Sequence, residues 1–407
     1  MTDTNIYSAD IEVLNSLVRR VFYIEDITMG GPQQKYLVRY RGKIALPDTA
    51  QAYDQLADLL RPYNITPLFR WDNGRHCILL VSGVINVKPS NPWINIVLGV
   101  ATFLSVLLTG AILAETTDPF TQGVTLKSIL DFLFLGWPYA VSLLAILTAH
   151  EFGHYLAGRF HGTKVSLPYF IPLPIISLFG TLGAFINMKE PPKNRRILLD
   201  IGIAGPLAGL VVAIPVLFIG LAGSSLGRIP MVLPSGTTYQ QEGNSILYLF
   251  AKLLVFGKLL PQPASYGNLP AFIYWIRYFF TSQPLPLGGI DVNLNPVAFA
   301  GWVGLLVTSL NLIPAGQLDG GHLLYVLFGS KWARRILPFI LVGLVLLGFV
   351  WSGWWLWAVL IFLFGRVYAE PLDQITTLDA PRILLALLAL VIFVLVFIPV
   401  PLIIVSG

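Results

Sequence analysis

The sequence predicts a polytopic α-helical membrane protein: about seven transmembrane helices plus a re-entrant hairpin, preceded by a small N-terminal α/β soluble domain. Three observations predict it. Of 407 residues, 55% are hydrophobic and only 12% charged, with a mean hydropathy of +0.73, too apolar for one soluble globule. Runs of about 18–25 apolar residues, long enough to cross a bilayer, recur after residue 92. Residues 1–88 differ, holding 10 Lys/Arg and 9 Asp/Glu in the patterning of a soluble unit. The net charge of +5 is too small to imply a nucleic-acid partner; the lipid bilayer is the partner that composition demands.

The soluble domain is placed at residues 1–90. "DIEVLNSLVRRV" reads as an amphipathic helix, and "FYIEDIT" and "QKYLVRYRGKI" as strands joined at Gly30-Gly31-Pro32. "DTAQAYDQLADLLRPY" is a second helix capped by Asp48, because an aspartate oxygen can accept the unpaired amides of a first turn. "ITPLFRW" and "RHCILLVSGV" make a hairpin around Asp72-Asn73-Gly74. An α-β-β-α-β-β order suggests a two-layer sandwich, followed by the linker "NVKPSNP". No basic-then-apolar leader is apparent, so no cleavable secretory signal is expected. Cys77, the single cysteine, excludes an internal disulfide and reads as a small buried hydrophobe in a strand.

Membrane spans are expected at about 93–114, 137–159, 196–221, 296–328, 335–350, 353–369 and 383–405. Residues 91–136 form the first span and an outer loop, 137–330 the core, and 331–407 the C-terminal spans. Within the core, residues 165–188 are apolar, but Pro168, Pro172 and Pro174 forbid a regular helix. Non-helical backbone survives at membrane depth only inside protein or beside a wet cavity, so a hairpin lining a site is expected. The 222–295 connection holds two short apolar segments with Lys or Arg, read as interfacial helices. Basic residues concentrate in 159–196 (Arg159, Lys164, Lys189, Lys193, Arg195, Arg196) and 331–335, whereas 115–136 has only Lys127. The positive-inside rule therefore puts these loops and the N-terminal domain on the cytoplasmic or stromal side, and 222–295 outside.

The chemistry centres on "LTAHEFGHYLAGRFHG", residues 147–162. His150 and His154 are spaced i, i+4 and share one helix face, so two neutral imidazoles can grip one zinc ion while Glu151 accepts a proton from water. Ionisable groups in an apolar helix have no inexpensive explanation as packing. Catalytic zinc usually takes three protein ligands and keeps an open position. His161 is one candidate, but the chain reads HExxHxxxGxxH, one residue longer than the metzincin pattern, and a surface histidine is the better reading. Asp200, an acid in an apolar helix, is another; a hydrogen bond to the hairpin or the basic loop would account for it equally. Glu190 lies in a polar loop. The strongest third ligand is Asp319 in "TSLNLIPAGQLDGGH", where Pro314 and Gly316 break the helix and Asn311 can hydrogen-bond substrate or an oxyanion.

Depth is an independent check. At ~1.5 Å per residue, a helix entering near Trp137 reaches His150 after ~20 Å and His154 after ~25 Å. One entering from the same side near Pro296 reaches Asn311 after ~22 Å, and Asp319 follows at the break. Both motifs therefore meet at one level of a ~30 Å apolar layer.

"HEFGHYLAGRFHG" together with "NLIPAGQLDGG" resembles the site-2 protease family of intramembrane zinc metalloproteases, and "AGPLAG" at 204–209 is similar to that family's Gly-Pro helix. The soluble N-terminal domain and the lack of a recognisable PDZ insertion bring it nearer the cyanobacterial and chloroplast branch. The resemblance, over about 137–330, implies His150, His154 and Asp319 as ligands of one Zn2+, Glu151 as general base and Asn311 as a polar helper. It implies endopeptidase action on membrane proteins with transmembrane helices, in a plasma or thylakoid membrane, with a possible regulatory partner for the N-terminal domain. A metal-binding transporter and an inactive scaffold stay open as alternatives. Gly205 and Gly209 read as ordinary small-residue helix packing, and His322 as a residue adjacent to the site rather than a ligand.

Overall fold

The structure, a computed structural model, describes residues 8–31, 33–84, 90–114, 124–236 and 238–406. Its N-terminal part is an α/β unit built from α1 (Ser8–Arg19), β1 (Phe22–Met29), β2 (Val38–Ile44), α2 (Thr49–Leu60), β3 (Ile65–Asp72) and β4 (Arg75–Ser82). The strands form one antiparallel sheet in the order β1-β2-β4-β3. Alternation along β2 and β3 turns Val38, Tyr40, Ile65 and Phe69 inward, where they meet Val18, Leu56 and Leu60 of the two helices. Asp48 caps α2, accepting from the Ala50 amide at 3.2 Å. Asn73 and Gly74 both adopt positive φ, as the two-residue β3–β4 turn requires. The element order matches the sequence expectation. The linker mostly falls outside the described residues, as do 115–123 of the first outer loop and Pro32 of the first turn.

The remainder is mostly helical. It runs through α3 (Pro92–Ala114), α4 (Leu126–Leu135), α5 (Trp137–Phe160), β5 (Tyr169–Pro172), β6 (Thr181–Phe185) and α6 (Arg195–Ala222). There follow β7 (Ser225–Arg228), β8 (Thr238–Glu242), α7 (Ile246–Phe256), α8 (Ala271–Thr281) and β9 (Ile290–Asn293). The chain ends with α9 (Pro296–Asn311), α10 (Asp319–Gly348), α11 (Gly353–Phe364), α12 (Ala380–Val396) and β10 (Leu402–Ser406). Among the described residues, α3 and α6 are long and apolar enough to cross a membrane; α4 and α5, bent by 49° at their junction, make a third such span if taken together. α7, α9, α11 and α12 are shorter apolar helices.

The buried centre is the packing of α5, α6 and α9, with Leu143, Leu147, Leu210, Leu217, Trp302 and Leu306 interlocked. Glycines allow the close approach: a Cβ on Gly220 would lie 2.1 Å from the Ala298 nitrogen, and one on Gly301 2.6 Å from the Leu217 Cα. Residues 165–188 form the expected hairpin, with β5 paired to β6 and Val165 bridged to Met188. Polar side chains of α3 satisfy its free carbonyls. Asn95 donates to Leu167 and Pro168 at 3.0 and 2.9 Å, and Ser105 donates to Gly180.

Within 296–328 the expected break is present: α9 stops at Asn311 and α10 starts at Asp319, because Pro314 lacks an amide hydrogen and Gly316 turns with φ 57°. One expected span is corrected: residues 383–405 are not one helix. α12 ends at Val396, Pro399 and Pro401 prevent its continuation, and β10 pairs antiparallel with β8.

Cys77 is 2% exposed, and burial pushes its thiol up to about 11. We therefore expect it to resist maleimide at pH 7–8 in the native protein and to react fully after unfolding. Prompt native labelling would contradict the placement of β4.

Candidate metal centre

His150 and His154 project from one face of α5 and are 3% and 6% exposed; Glu151 between them is 5% exposed. The partner surface is α6, and its glycines fit the imidazoles. A Cβ at Gly205 would lie 2.0 Å from His154 Nε2, and one at Gly209 3.1 Å from His150 Nδ1. On antiparallel helices, an i, i+4 pair of large rings requires an i, i+4 pair of vacancies running the other way. Gly209 faces His150 and Gly205 faces His154 accordingly. This corrects the reading of these glycines as ordinary helix packing.

The third group arrives through the break. After Asn311 the chain turns through 312–318 and restarts at Asp319 as the first residue of α10. Gly320 and Gly321 make the tight re-entry possible, since a Cβ on either would lie 2.0 Å from the Leu312 carbonyl oxygen or 2.3 Å from that of Gly316. Asp319 is thereby set between the two imidazoles. Its Oδ2 is 3.3 Å from His150 Nε2, and its Oδ1 is 3.4 Å from His154 Nε2. The Asn311 amide nitrogen lies 3.2 Å from His150 Nε2.

His154 Nδ1 stands 2.7 Å from the Ile201 carbonyl oxygen. A carbonyl accepts only, so Nδ1 carries the hydrogen and Nε2 keeps its lone pair, the orientation of a metal-bound histidine. Among the described residues, His150, His154 and Asp319 are the one group of three whose donor atoms all lie within 4.8 Å of one another. Two imidazole nitrogens and one carboxylate oxygen are a donor set that fits zinc, which these three residues would hold.

The group opens into a cavity of about 480 Å³. Glu151, Asn311 and the end of the hairpin (Ile186, Asn187) line it near the histidines, while Pro191, Pro192, Ala369 and Glu370 also line it. Ile186 main chain lies beside the Glu151 carboxylate, so the hairpin bounds the space around the acid. His322 lines the cavity but stands outside the three-donor group.

The rival third ligands have other partners. His161 Nε2 is 2.9 Å from Asp200 Oδ2, and Arg382 of α12 grips the same carboxylate with two nitrogens at 2.8 and 2.6 Å. Asp200 thus meets His161, at the start of the basic 159–196 segment as expected, and also Arg382 on a distant helix, a pairing no local pattern discloses. Glu190 accepts from the Lys164 amide at 2.8 Å.

The family model described as Peptidase family M50 matches residues 138–349. Among curated proteins, the probable zinc metalloprotease EGY2, chloroplastic, of Arabidopsis thaliana is 30% identical over 273 residues, covering 67% of this chain and 43% of that protein. The EGY2 protein of Oryza sativa subsp. indica is 28% identical over 307 residues, covering 74% and 49%. The probable zinc metalloprotease EGY1, chloroplastic, of Arabidopsis thaliana is 27% identical over 317 residues, covering 75% and 50%. The chain spans about half the length of these relatives. No solved structure matches it. The family match takes in both helices that carry the imidazoles and the carboxylate, and it covers just over half of the 407 residues: the chain belongs to peptidase family M50.

Proposed function

We propose that the chain is a zinc-dependent intramembrane endopeptidase, hydrolysing peptide bonds in or near transmembrane segments of other membrane proteins. One observation carries the reading: two histidine Nε2 atoms and the Asp319 carboxylate converge beside Glu151 in a cavity with both apolar and polar walls. Membership of a peptidase family and relatives named as zinc metalloproteases support it. In this reading His150, His154 and Asp319 hold one zinc ion, Glu151 is the general acid–base and Asn311 a substrate-facing donor.

The metal, when bound, supplies Lewis acidity for water and for the scissile carbonyl. Glu151 takes a proton from the attacking water as its oxygen bonds to the carbonyl carbon. The same carboxyl returns that proton to the amide nitrogen as the C–N bond breaks, so one residue acts first as base and then as acid. Asn311 donates its side-chain amide toward the carbonyl oxygen as charge develops. A substrate helix must unwind locally, since its amides are otherwise engaged. The cavity leaves room for such an extended segment, with the hairpin along one side.

The seven-pass reading belongs to the same proposal. The passes would be α3, α5, α6, α9 with the first part of α10, the part of α10 after the break at Gly329, α11 and α12. At ~1.5 Å per residue, α9 and α11 reach only ~24 and ~18 Å, so adjoining segments must complete the ~30 Å depth. Exposed apolar side chains such as Leu356, Phe362, Leu384 and Val391 suit a lipid-facing surface. The N-terminal unit would lie on the cytoplasmic or stromal side, in a plasma or thylakoid membrane. The proposed division of the chain keeps 1–90 as the soluble domain and 137–330 as the core, with the connection 222–295 on the outer side. A transporter gives Glu151 no chemical role and predicts metal flux into sealed vesicles.

Three variants test these roles. Glu151→Gln should retain one zinc per chain and lose at least ~10²-fold in cleavage of a transmembrane reporter; normal turnover by pure variant refutes the assignment. Asn311→Leu should also keep zinc, with kcat lower by about 10²–10³ and KM little changed. Gly205→Ala alters no donor atom, yet its methyl invades the His154 ring, so zinc content by elemental analysis should fall well below one per chain. Full occupancy in that variant would contradict the packing of α6 against the imidazoles.

A further inference from the structure

The sheet order leaves β3 at an edge, and a bare edge would present unpaired amides and carbonyls. It is covered by residues from the far end of the sequence. The Phe69 amide donates to Leu372 at 3.0 Å, and the Gln374 amide donates back to Phe69 at 3.1 Å, in parallel pairing. On its other side the same stretch donates from Leu372 to Pro192 at 3.0 Å and from Asp373 to Lys193 at 2.7 Å. Residues 372–374 are therefore the middle strand between the α/β unit and the 192–194 segment.

Arg70 fastens this strand. One guanidinium nitrogen, Nη1, donates to the carbonyls of Phe69 (2.9 Å), Pro371 (3.2 Å) and Leu372 (2.7 Å). Ile375 is buried in the hydrophobic core of the α/β unit. Asp373, with no exposed surface, accepts from the amides of Ile375 and Thr376 and from the Thr376 hydroxyl, which fixes the turn that inserts Ile375. Thr49 and Thr376 hydroxyls meet at 2.7 Å, and Lys193 pairs with Asp54 at 2.9 Å.

The strand abuts the metal-centre cavity at both flanks. Ala369 and Glu370, immediately before it, line that cavity, and so do Pro191 and Pro192 of the segment it pairs with. The 371–374 stretch thus joins two parts of the cavity wall through backbone hydrogen bonds. We infer that Arg70 is a positioning residue: through the 371–376 strap, the N-terminal α/β unit sets the separation of the cavity walls and hence the entry of an extended peptide. The activity arm of this inference rests on the peptidase reading; the structural arm does not.

The test compares the purified 407-residue chain as wild type, Arg70→Ala, Arg70→Lys and Gln374→Pro by hydrogen–deuterium exchange, zinc content and reporter kinetics. Gln374→Pro removes the amide that donates to Phe69 while leaving every residue of β1–β4 and both helices of the α/β unit unchanged. Both Arg70→Ala and Gln374→Pro should raise exchange about tenfold in peptides covering 369–376 and 186–194. Strands β1, β2 and β4 should stay protected and zinc at one per chain. KM should change by roughly threefold or more with kcat nearly constant, and Arg70→Lys, which keeps a cationic donor, should lie between. Exchange at 186–194 that stays at the wild-type value while 369–376 loosens would overturn the coupling, as would an unchanged KM in an active enzyme. If wild type cleaves nothing, the peptidase reading fails alone and the exchange data decide the strap. If Arg70→Ala unfolds the α/β unit, Gln374→Pro decides it.

Discussion

Placing two imidazoles and a carboxylate within contact of one another, buried from water between packed helices, is the constraint on which the molecule depends. Each group alone would cost several kcal/mol to strip of water. Together with a cation they would become the complementary ligands of one site. Meeting that geometry dictates features far beyond the three residues. α6 must carry glycine where the rings press against it, the Ile201 carbonyl must hold one ring in the correct tautomer, and α9 must end so that Asp319 can enter. The glycines of the re-entry turn follow from the same demand, because a side chain on Gly320 or Gly321 would collide with the backbone it crosses.

In the proposed reading the hairpin answers a second demand, that peptide hydrolysis needs water and room for an extended substrate. Irregular backbone in an apolar setting must have its polar groups satisfied. Here β5 pairs with β6 and α3 supplies Asn95 and Ser105 for the carbonyls beyond the ladder. The same device recurs where the α/β unit meets the core. There, an open sheet edge is completed by residues 372–374, making the unit part of the cavity's surroundings.

Much was legible locally. Periodicity and turn chemistry placed the helices and strands of the α/β unit, since Asp48 and Asn73-Gly74 act within a few residues of themselves. Helical spacing put His150 and His154 on one face, and a proline and a glycine placed the break before Asp319. What escaped depends on partners distant in sequence. Gly205 and Gly209 read as generic packing in the sequence alone, because their fit to the imidazoles depends on an antiparallel partner helix, although their spacing mirrors that of the histidines. Asp200 seemed a stray acid because Arg382 lies 182 residues away. Residues 397–405 looked like the end of a span because apolar composition does not separate a short strand from a helix; Pro399 and Pro401 were the signal, and the β8 edge the reason. The strap is likewise a backbone pairing, in which side-chain type has little say.

X-ray absorption at the zinc edge on the purified 407-residue chain tests the account's centre most directly. The predicted spectrum has one zinc per chain, only nitrogen and oxygen neighbours at about 2.0–2.2 Å and the multiple-scattering signature of two imidazoles. Asp319→Ala should lose zinc or show an altered oxygen shell with both imidazoles kept. A third imidazole in the wild-type spectrum, or a spectrum and zinc content unchanged by Asp319→Ala, would contradict it.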